Sequence, residues 1–242
     1  MDILGVKIDN LALGDIINQI NLWLKGERQH QIATVNPEFI IETLSNPEFK
    51  NVLNQTSLST CDGAGLVWAA KTLKQQKLIR VTGVDLVEAM FRHQPTENWK
   101  FYLLGGATDI AESVKKKYSQ TNIVGAEDGG RLIKNQWLLE NNDQIINNIK
   151  NSGANILLVA FGQVRQEMWI NKNLALLPNI KVAIGIGGTF DYLSGLVPRA
   201  PLFLRRLGLE WLYRLITNPK RFKRIWNATV KFSWLVLKEK FK

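Results

Sequence analysis

The chain is poor in the residues that usually carry metal and redox chemistry. It has one cysteine, Cys61, and two histidines, His30 and His93, among 242 residues. A single cysteine excludes an intrachain disulfide and a thiolate metal cluster, and it fits a reducing compartment. Both histidines fall outside the glycine-bearing strand–helix junctions described below, so a zinc site and a Ser-His-Asp triad have no support. No Asp-x-Asp pair occurs anywhere. No apolar window approaches the roughly 20 residues that a bilayer span needs. The first residues, MDILGVKIDNL, carry an acid at position 2 and no basic stretch followed by an apolar one, so no secretory signal is expected. The expected location is the cytoplasm, with any membrane contact peripheral.

Charge is abundant but one-sided. The net charge is +10. Residues 1–195 hold 19 basic and 19 acidic side chains, whereas residues 196–242 hold 12 basic and 2 acidic ones, so the whole excess sits in the last 47 residues. A basic tail of this kind points to nucleic acid, an anionic membrane or a phosphorylated substrate.

The body alternates short apolar runs with helical patterns. Candidate strands cover residues 31–35, 58–61, 101–104, 123–126, 156–161 and 182–186. Candidate helices cover 13–25, 38–54, 65–75, 84–92, 109–118, 136–151 and 163–176. Runs such as NILLVAF and KVAIGI are short, apolar and bounded by Gly or Pro, as buried parallel strands are. This alternation predicts an α/β fold with a doubly wound, Rossmann-like sheet over residues 1–195. Ligands of such sheets bind beyond the carboxyl ends of the strands. After Gly195 the pattern changes. Pro198 and Pro201 mark a turn, and helical patterns follow over 202–217 and 219–240. Residues 196–242 are too few to bury their own core and are expected to form an appendage.

Several strand–helix junctions carry groups suited to a ligand. Gly105-Gly106, Gly162 and Gly187-Gly188 let the backbone approach closely, and the helix that follows offers free N–H groups to a phosphate. Each is equally well read as a tight turn. Phe190 occupies the sixth position of the GIGGTF stretch, where a dinucleotide fingerprint has Gly, so a nicotinamide oxidoreductase is disfavoured but stays open. Asn36 before Pro37 suits a helix N-cap, which leaves Thr34 at the strand end unexplained. Asp62, followed by Gly63-Ala64-Gly65, is a second cap candidate and also a general-base candidate. Burial would raise its pKa and a helix N-terminus would lower it. Arg80 suits a diphosphate, and equally a surface position. Gln163, Arg165, Gln166 and Glu167 crowd the first turn after the fifth strand, either as a solvated helix start or as part of a site.

On a helical wheel the tail places Trp226, Val230, Trp234, Leu237 and Phe241 on one face and Arg224, Lys231, Lys238 and Lys242 opposite; Lys223 and Leu235 break the separation. Aromatic residues facing lysines describe a helix lying in a membrane interface, with a helix packed on its own domain as the plainer alternative. Interleaved Trp and Phe suit lipid better than a duplex, so nucleic acid is not expected as a partner. A non-enzymatic membrane- or nucleic-acid-binding module is the second alternative.

Taken in order, TVNPEF (34–39), CDGAGLVWAAK (61–71), RVTGVDL (80–86), FYLLGG (101–106), FGQVRQE (161–167), GIGGTFDYLSG (185–195) and RAPLFLRRLGLEWLYRLITNPKRFKR (199–224) resemble the WecG/TagA/CpsF family of bacterial glycosyltransferases over nearly the whole chain. The resemblance implies a Rossmann-like single domain that needs no metal or other cofactor, in keeping with the missing Asp-x-Asp. It implies inverting transfer of an N-acetylmannosamine-type sugar from a UDP-sugar to polyprenyl-diphosphate-linked N-acetylglucosamine. Family members build teichoic acid linkage units, enterobacterial common antigen or capsular polysaccharide. By the same resemblance Asp62 matches the catalytic base, and Thr34, Asn36, Arg80 and Gln166 match pocket residues, with Gly63 beside them. Arg214, Arg221 and Arg224 match arginines that approach the acceptor diphosphate, and Arg205 and Arg206 accompany them toward that group or an anionic cytoplasmic membrane surface. Val164 departs from the family's usual Pro, which loosens the local backbone and puts the reach of Gln163 in doubt. Neither the exact donor nor a homo-oligomeric state can be read from the residues.

Overall fold

The computed structural model describes residues 1–74, 77–93, 98–133, 136–219 and 222–241, with Lys74 and Arg206 described by their backbone alone. Six strands form one parallel sheet: β3 (His30–Val35), β4 (Leu58–Cys61), β5 (Phe101–Gly105), β6 (Ile123–Glu127), β9 (Ile156–Ala160) and β10 (Val182–Gly185). Their order is β4-β3-β10-β9-β5-β6. All six coincide with the predicted strands to within a residue at either end. Two small antiparallel pairs, β1 (Asp2–Ile3) with β2 (Val6–Lys7) and β7 (Leu132–Ile133) with β8 (Leu138–Leu139), are additions that their two-residue length hides from any pattern.

Alternation along each strand divides the core. Ile32, Leu58, Leu103, Leu158 and Ile184 point to one face, against α1 (Leu13–Leu24), α5 (Gly83–His93), α6 (Ile110–Lys117) and α9 (Thr189–Ser194). Ala33, Val35 and Cys61 point to the other, against α2 (Pro37–Thr43), α3 (Pro47–Gln55) and α4 (Ala64–Lys74). Leu104, Val159 and Ala183 extend that second face under α7 (Asn142–Ser152) and α8 (Arg165–Asn173). With both faces covered, the central strands β5, β9 and β10 are apolar throughout, while β3 and β4 also bury Gln31, Thr34, Ser59 and Thr60. Each fully buried Ile, Leu or Phe contributes about 1.5–3 kcal/mol.

Three predicted helices are corrected. The helix expected over 38–54 is two helices, because Asn46 caps a second one by accepting from Phe49 N at 3.0 Å, and Pro47 cannot continue the first. The helix expected over 136–151 begins only at Asn142, since Leu138 and Leu139 pair with β7. The helix expected over 202–217 breaks at Gly208, φ 73°, into α10 (Leu202–Arg206) and α11 (Glu210–Thr217). The final stretch runs through α12 (Phe222–Trp226), a π-helical turn (Asn227–Lys231) and α13 (Phe232–Lys240).

The tail has two apolar sides. Phe232 and Val236 are fully buried in the core of α2 and α4. The expected membrane-facing set, Trp226, Val230, Trp234, Leu237 and Phe241, is exposed. The last helix, α13, thus seats itself on the body's core. No helix among the described residues is long and apolar enough to cross a membrane.

Candidate active site

β3 and β10 are neighbours, but the chain leaves them toward opposite faces: α2 follows β3, and α9 follows β10. That divergence opens a crevice at the carboxyl edge of a doubly wound sheet. A cleft of about 570 Å³ lies there, bounded by the ends of β3, β4 and β10, the start of α8, and the tail from α11 to the π-helical turn. The tail therefore forms one wall of it.

Thr34, Asn36, Asp62, Gly63, Arg80 and Gln166 all line this cleft. So do Gly162, Gly187, Gly188, Arg214 and Arg224. Gly105 and Gly106 do not. A Cβ on Gly105 would lie 2.8 Å from the Ala160 carbonyl carbon, so Gly105 serves the close approach of β5 to β9, and one on Gly106 would press on Ile110 at 3.4 Å. Arg205 lies outside the lining residues, and its Nε is buried without a hydrogen-bond partner among the described residues. Arg221 and the Arg206 side chain lie outside the described residues.

Asp62 follows β4, and its backbone N–H is bound by the Val35 carbonyl at 2.7 Å. Its Oδ2 accepts from Gly83 N at 3.2 Å. Loss of hydration raises its pKa to about 6; Gly83 N–H, Arg214 and Arg80 act against that, and Glu210 adds to it. A carboxyl poised near neutrality suits a general base. Cys61, next to it, is pushed up to about 12 by burial and by the Asp62 charge, which makes its thiol inert.

The neighbours of Asp62 are closely packed. Gly63 has φ 143°, in the region that favours glycine. A Cβ on Gly65 would sit 2.8 Å from Pro37 Cγ, so α4 can start against α2 only with glycine there. Asn36 caps α2, accepting from Glu38 N at 2.9 Å and Phe39 N at 3.3 Å, which leaves its amide nitrogen for the cleft. The Thr34 hydroxyl donates to the Gly185 carbonyl at 2.8 Å and so joins β3 to β10.

Gln166 is fully engaged from both ends. Its Oε1 accepts from Gly187 N at 2.8 Å, and its Nε2 donates to Glu167 Oε1 at 2.6 Å. Glu167 is fully buried, and its other carboxyl oxygen has no partner among the described residues. Burial pushes its pKa up to about 7. Gln166 thereby holds the β10–α9 turn in place. Val164 adopts φ 69°, ψ −59°, a backbone proline cannot take. Gln163 nonetheless lines the cleft, with a buried Oε1 that has no hydrogen-bond partner among the described residues.

From the tail, Arg214 donates to Glu210 Oε1 at 2.6 Å and lies 5.1 Å from the Tyr192 ring centroid. Glu210, Trp211, Tyr192, Trp68 and Thr82 line the cleft without having been singled out as site residues. Only the i, i+4 spacing of Glu210 and Arg214 could have signalled one of them. Among the described residues no three His, Cys, Asp or Glu side chains gather as a metal site. The cations at the cleft are arginines, groups suited to a diphosphate.

Comparison with known proteins follows the same lines. A family model described as "Glycosyl transferase WecG/TagA/CpsF family" matches residues 1–242. A protein of Bacillus spizizenii strain W23 is 34% identical over 211 residues, covering 86% of this chain and 78% of the relative. One of Bacillus subtilis strain 168 is 31% identical over 212 residues, covering 86% and 79%. Each of the two is named an N-acetylglucosaminyldiphosphoundecaprenol N-acetyl-beta-D-mannosaminyltransferase.

Proposed function

The chain belongs to the WecG/TagA/CpsF family of glycosyl transferases, and from that premise we propose that it moves an N-acetylmannosamine-type sugar from a UDP-sugar to polyprenyl-diphosphate-linked N-acetylglucosamine, with inversion. The observation that carries this reading is Asp62. It is recessed in the cleft, held by Gly83 N–H through one oxygen, and the other oxygen has no protein hydrogen bond among the described residues.

Asp62 takes the proton of the acceptor hydroxyl as that oxygen attacks the anomeric carbon. The bond from that carbon to the donor's diphosphate breaks, and the electron pair leaves with UDP. Arg80 and Arg214 meet the developing charge, which supplies without a metal the stabilisation that the leaving group needs. Asn36, through its amide nitrogen, and Gln163 orient the sugars, and correct placement is itself a large part of the acceleration. The exposed apolar side of the tail, Trp226 to Phe241, rests on the anionic leaflet that holds the acceptor. Each basic residue near that surface adds about 1 kcal/mol.

The test is a panel of UDP-sugars against a short-chain prenyl-diphosphate N-acetylglucosamine, read by mass spectrometry with and without EDTA. A disaccharide lipid from UDP-N-acetylmannosamine, unaffected by EDTA, is expected. Loss of product with EDTA overturns the metal-free step, and binding of NAD without UDP overturns the transfer.

A further inference from the structure

Arg199 stands outside the mechanism above, yet it is held as firmly as any residue in it. Its Nη2 donates to Asp85 Oδ1 at 2.7 Å and to Thr82 Oγ1 at 3.2 Å, and its Nη1 lies 4.0 Å from Glu88 Oε2. Only 14% of its side chain is exposed. Thr82 and Asp85 close the clasp between themselves. The Thr82 hydroxyl donates to Asp85 Oδ2 at 2.7 Å, and Asp85 N donates back to Thr82 Oγ1 at 3.1 Å. This is a capping arrangement at the start of α5.

The next residue is Gly83, whose N–H bonds Asp62. Gly83 is wedged from its other side as well. A Cβ there would lie 3.0 Å from Thr189 Oγ1 and 3.6 Å from Thr34 Cγ2. The 82–83 peptide thus sits between the strand-end wall of the cleft and the Arg199 clasp. Arg199 itself belongs to the segment where the chain turns from the body into the tail that walls the cleft.

We propose that Arg199 is a positioning residue: by gripping Thr82 and Asp85 it fixes the Gly83 N–H that Asp62 requires, and so ties the seating of the tail to the state of the base. This rests on the reading of Asp62 as the base. The charged groups facing Asp62 are Arg80 before α5, and Arg214 and Glu210 on α11. The clasp adds Arg199, Asp85 and Glu88. Since the Gly83 hydrogen bond lowers the Asp62 pKa, a loosened clasp raises it.

The experiment is the pH dependence of kcat and the donor KM for the full chain and its Arg199→Ala, Arg199→Lys and Asp85→Asn variants. Arg199→Ala is expected to lower kcat about tenfold, to leave donor KM within about twofold, and to move the acid limb up by about half a unit. Arg199→Lys is expected to fall between it and the native chain. Asp85→Asn separates position from charge. Removing a negative charge would, by relief of Coulomb repulsion alone, lower the acid limb, whereas release of Gly83 raises it. An upward shift in both Arg199→Ala and Asp85→Asn supports the proposal. An unmoved limb, or a downward one in Asp85→Asn, overturns it. Should Arg199→Ala not fold, the Lys and Asn variants carry the same decision. If instead Asp62→Asn keeps full turnover, the reading of the base fails, and that result is distinct from a clasp variant with an unshifted limb.

Discussion

Arg224 lays its guanidinium against the Glu38 carboxylate, Nε to Oε1 at 3.0 Å and Nη2 to Oε2 at 2.7 Å, joining α12 to the first turn of α2. Both residues line the cleft. An acceptor diphosphate reaching Arg224 must share it with Glu38 or displace it. Glu38→Gln is therefore expected to tighten the acceptor, lowering its KM by about threefold with little change in kcat. Because the pair is partly solvated, the cost in stability should stay within about 1 kcal/mol. A raised acceptor KM would show that Glu38 places Arg224 instead of competing for it.

Asp62→Asn is expected to reduce kcat about a hundredfold to ten-thousandfold and to leave UDP binding by calorimetry nearly unchanged. In the native enzyme kcat should fall as pH drops through about 6, where the base takes up its proton.

Glu167→Gln should flatten part of the stability profile. The native carboxyl has its pKa raised to about 7 from an ordinary 4.5, so the folded state holds a proton that the unfolded state releases. That contribution is complete below 4.5 and is lost as pH rises to about 7. The Tm of the native chain relative to the Gln variant should fall across this window. A constant difference would mean that Glu167 is ionised in the fold.

Gly65→Ala tests the contact with Pro37. Helix propensity alone favours alanine by about 1 kcal/mol. The 2.8 Å approach to a rigid ring should outweigh it, for a net loss of about 1–2 kcal/mol in denaturant unfolding. Increased stability would show that α4 can move away from α2.

Trp234→Ser with Phe241→Ser should weaken binding to anionic liposomes severalfold and leave Tm nearly unchanged, because both side chains are exposed. Phe232→Ser should do the reverse, since it removes a fully buried ring at a cost of about 3–5 kcal/mol. Truncation after Gly195 would remove the cleft wall and uncover the core around α2 and α4. It would thus confound lipid binding with folding.

The sheet was legible because its central strands are buried on both faces and read as short apolar runs. The helix boundaries at Asn46, Asn142 and Gly208 were less so. A cap, a two-residue ladder and one left-handed glycine decide them, and none changes the local periodicity. Asp62, Thr34, Asn36, Arg80 and Gln166 could be named from their motifs because each sits at or near a strand end. Arg199 and Glu210 lie within the 199–224 motif, and Glu210 stands at i, i+4 spacing from Arg214, but their places could not be read from it. Arg199 acts on Thr82 and Asp85, distant in sequence, and Glu210 matters as part of a cleft wall.

The sequence by itself determined the α/β layering, the location of all excess charge in the tail, and the family. Each depends on local pattern or on residue order. Tertiary structure alone decided that Phe232 and Val236 plug into the body while Trp234 and Phe241 stay outside on the same helix. It also decided that Gln166 serves a turn, and that Gly83 and Arg199 stand behind Asp62. These outcomes depend on which surfaces meet once the chain has closed, and burial, which raises the pKa values of Asp62 and Glu167, exists only then.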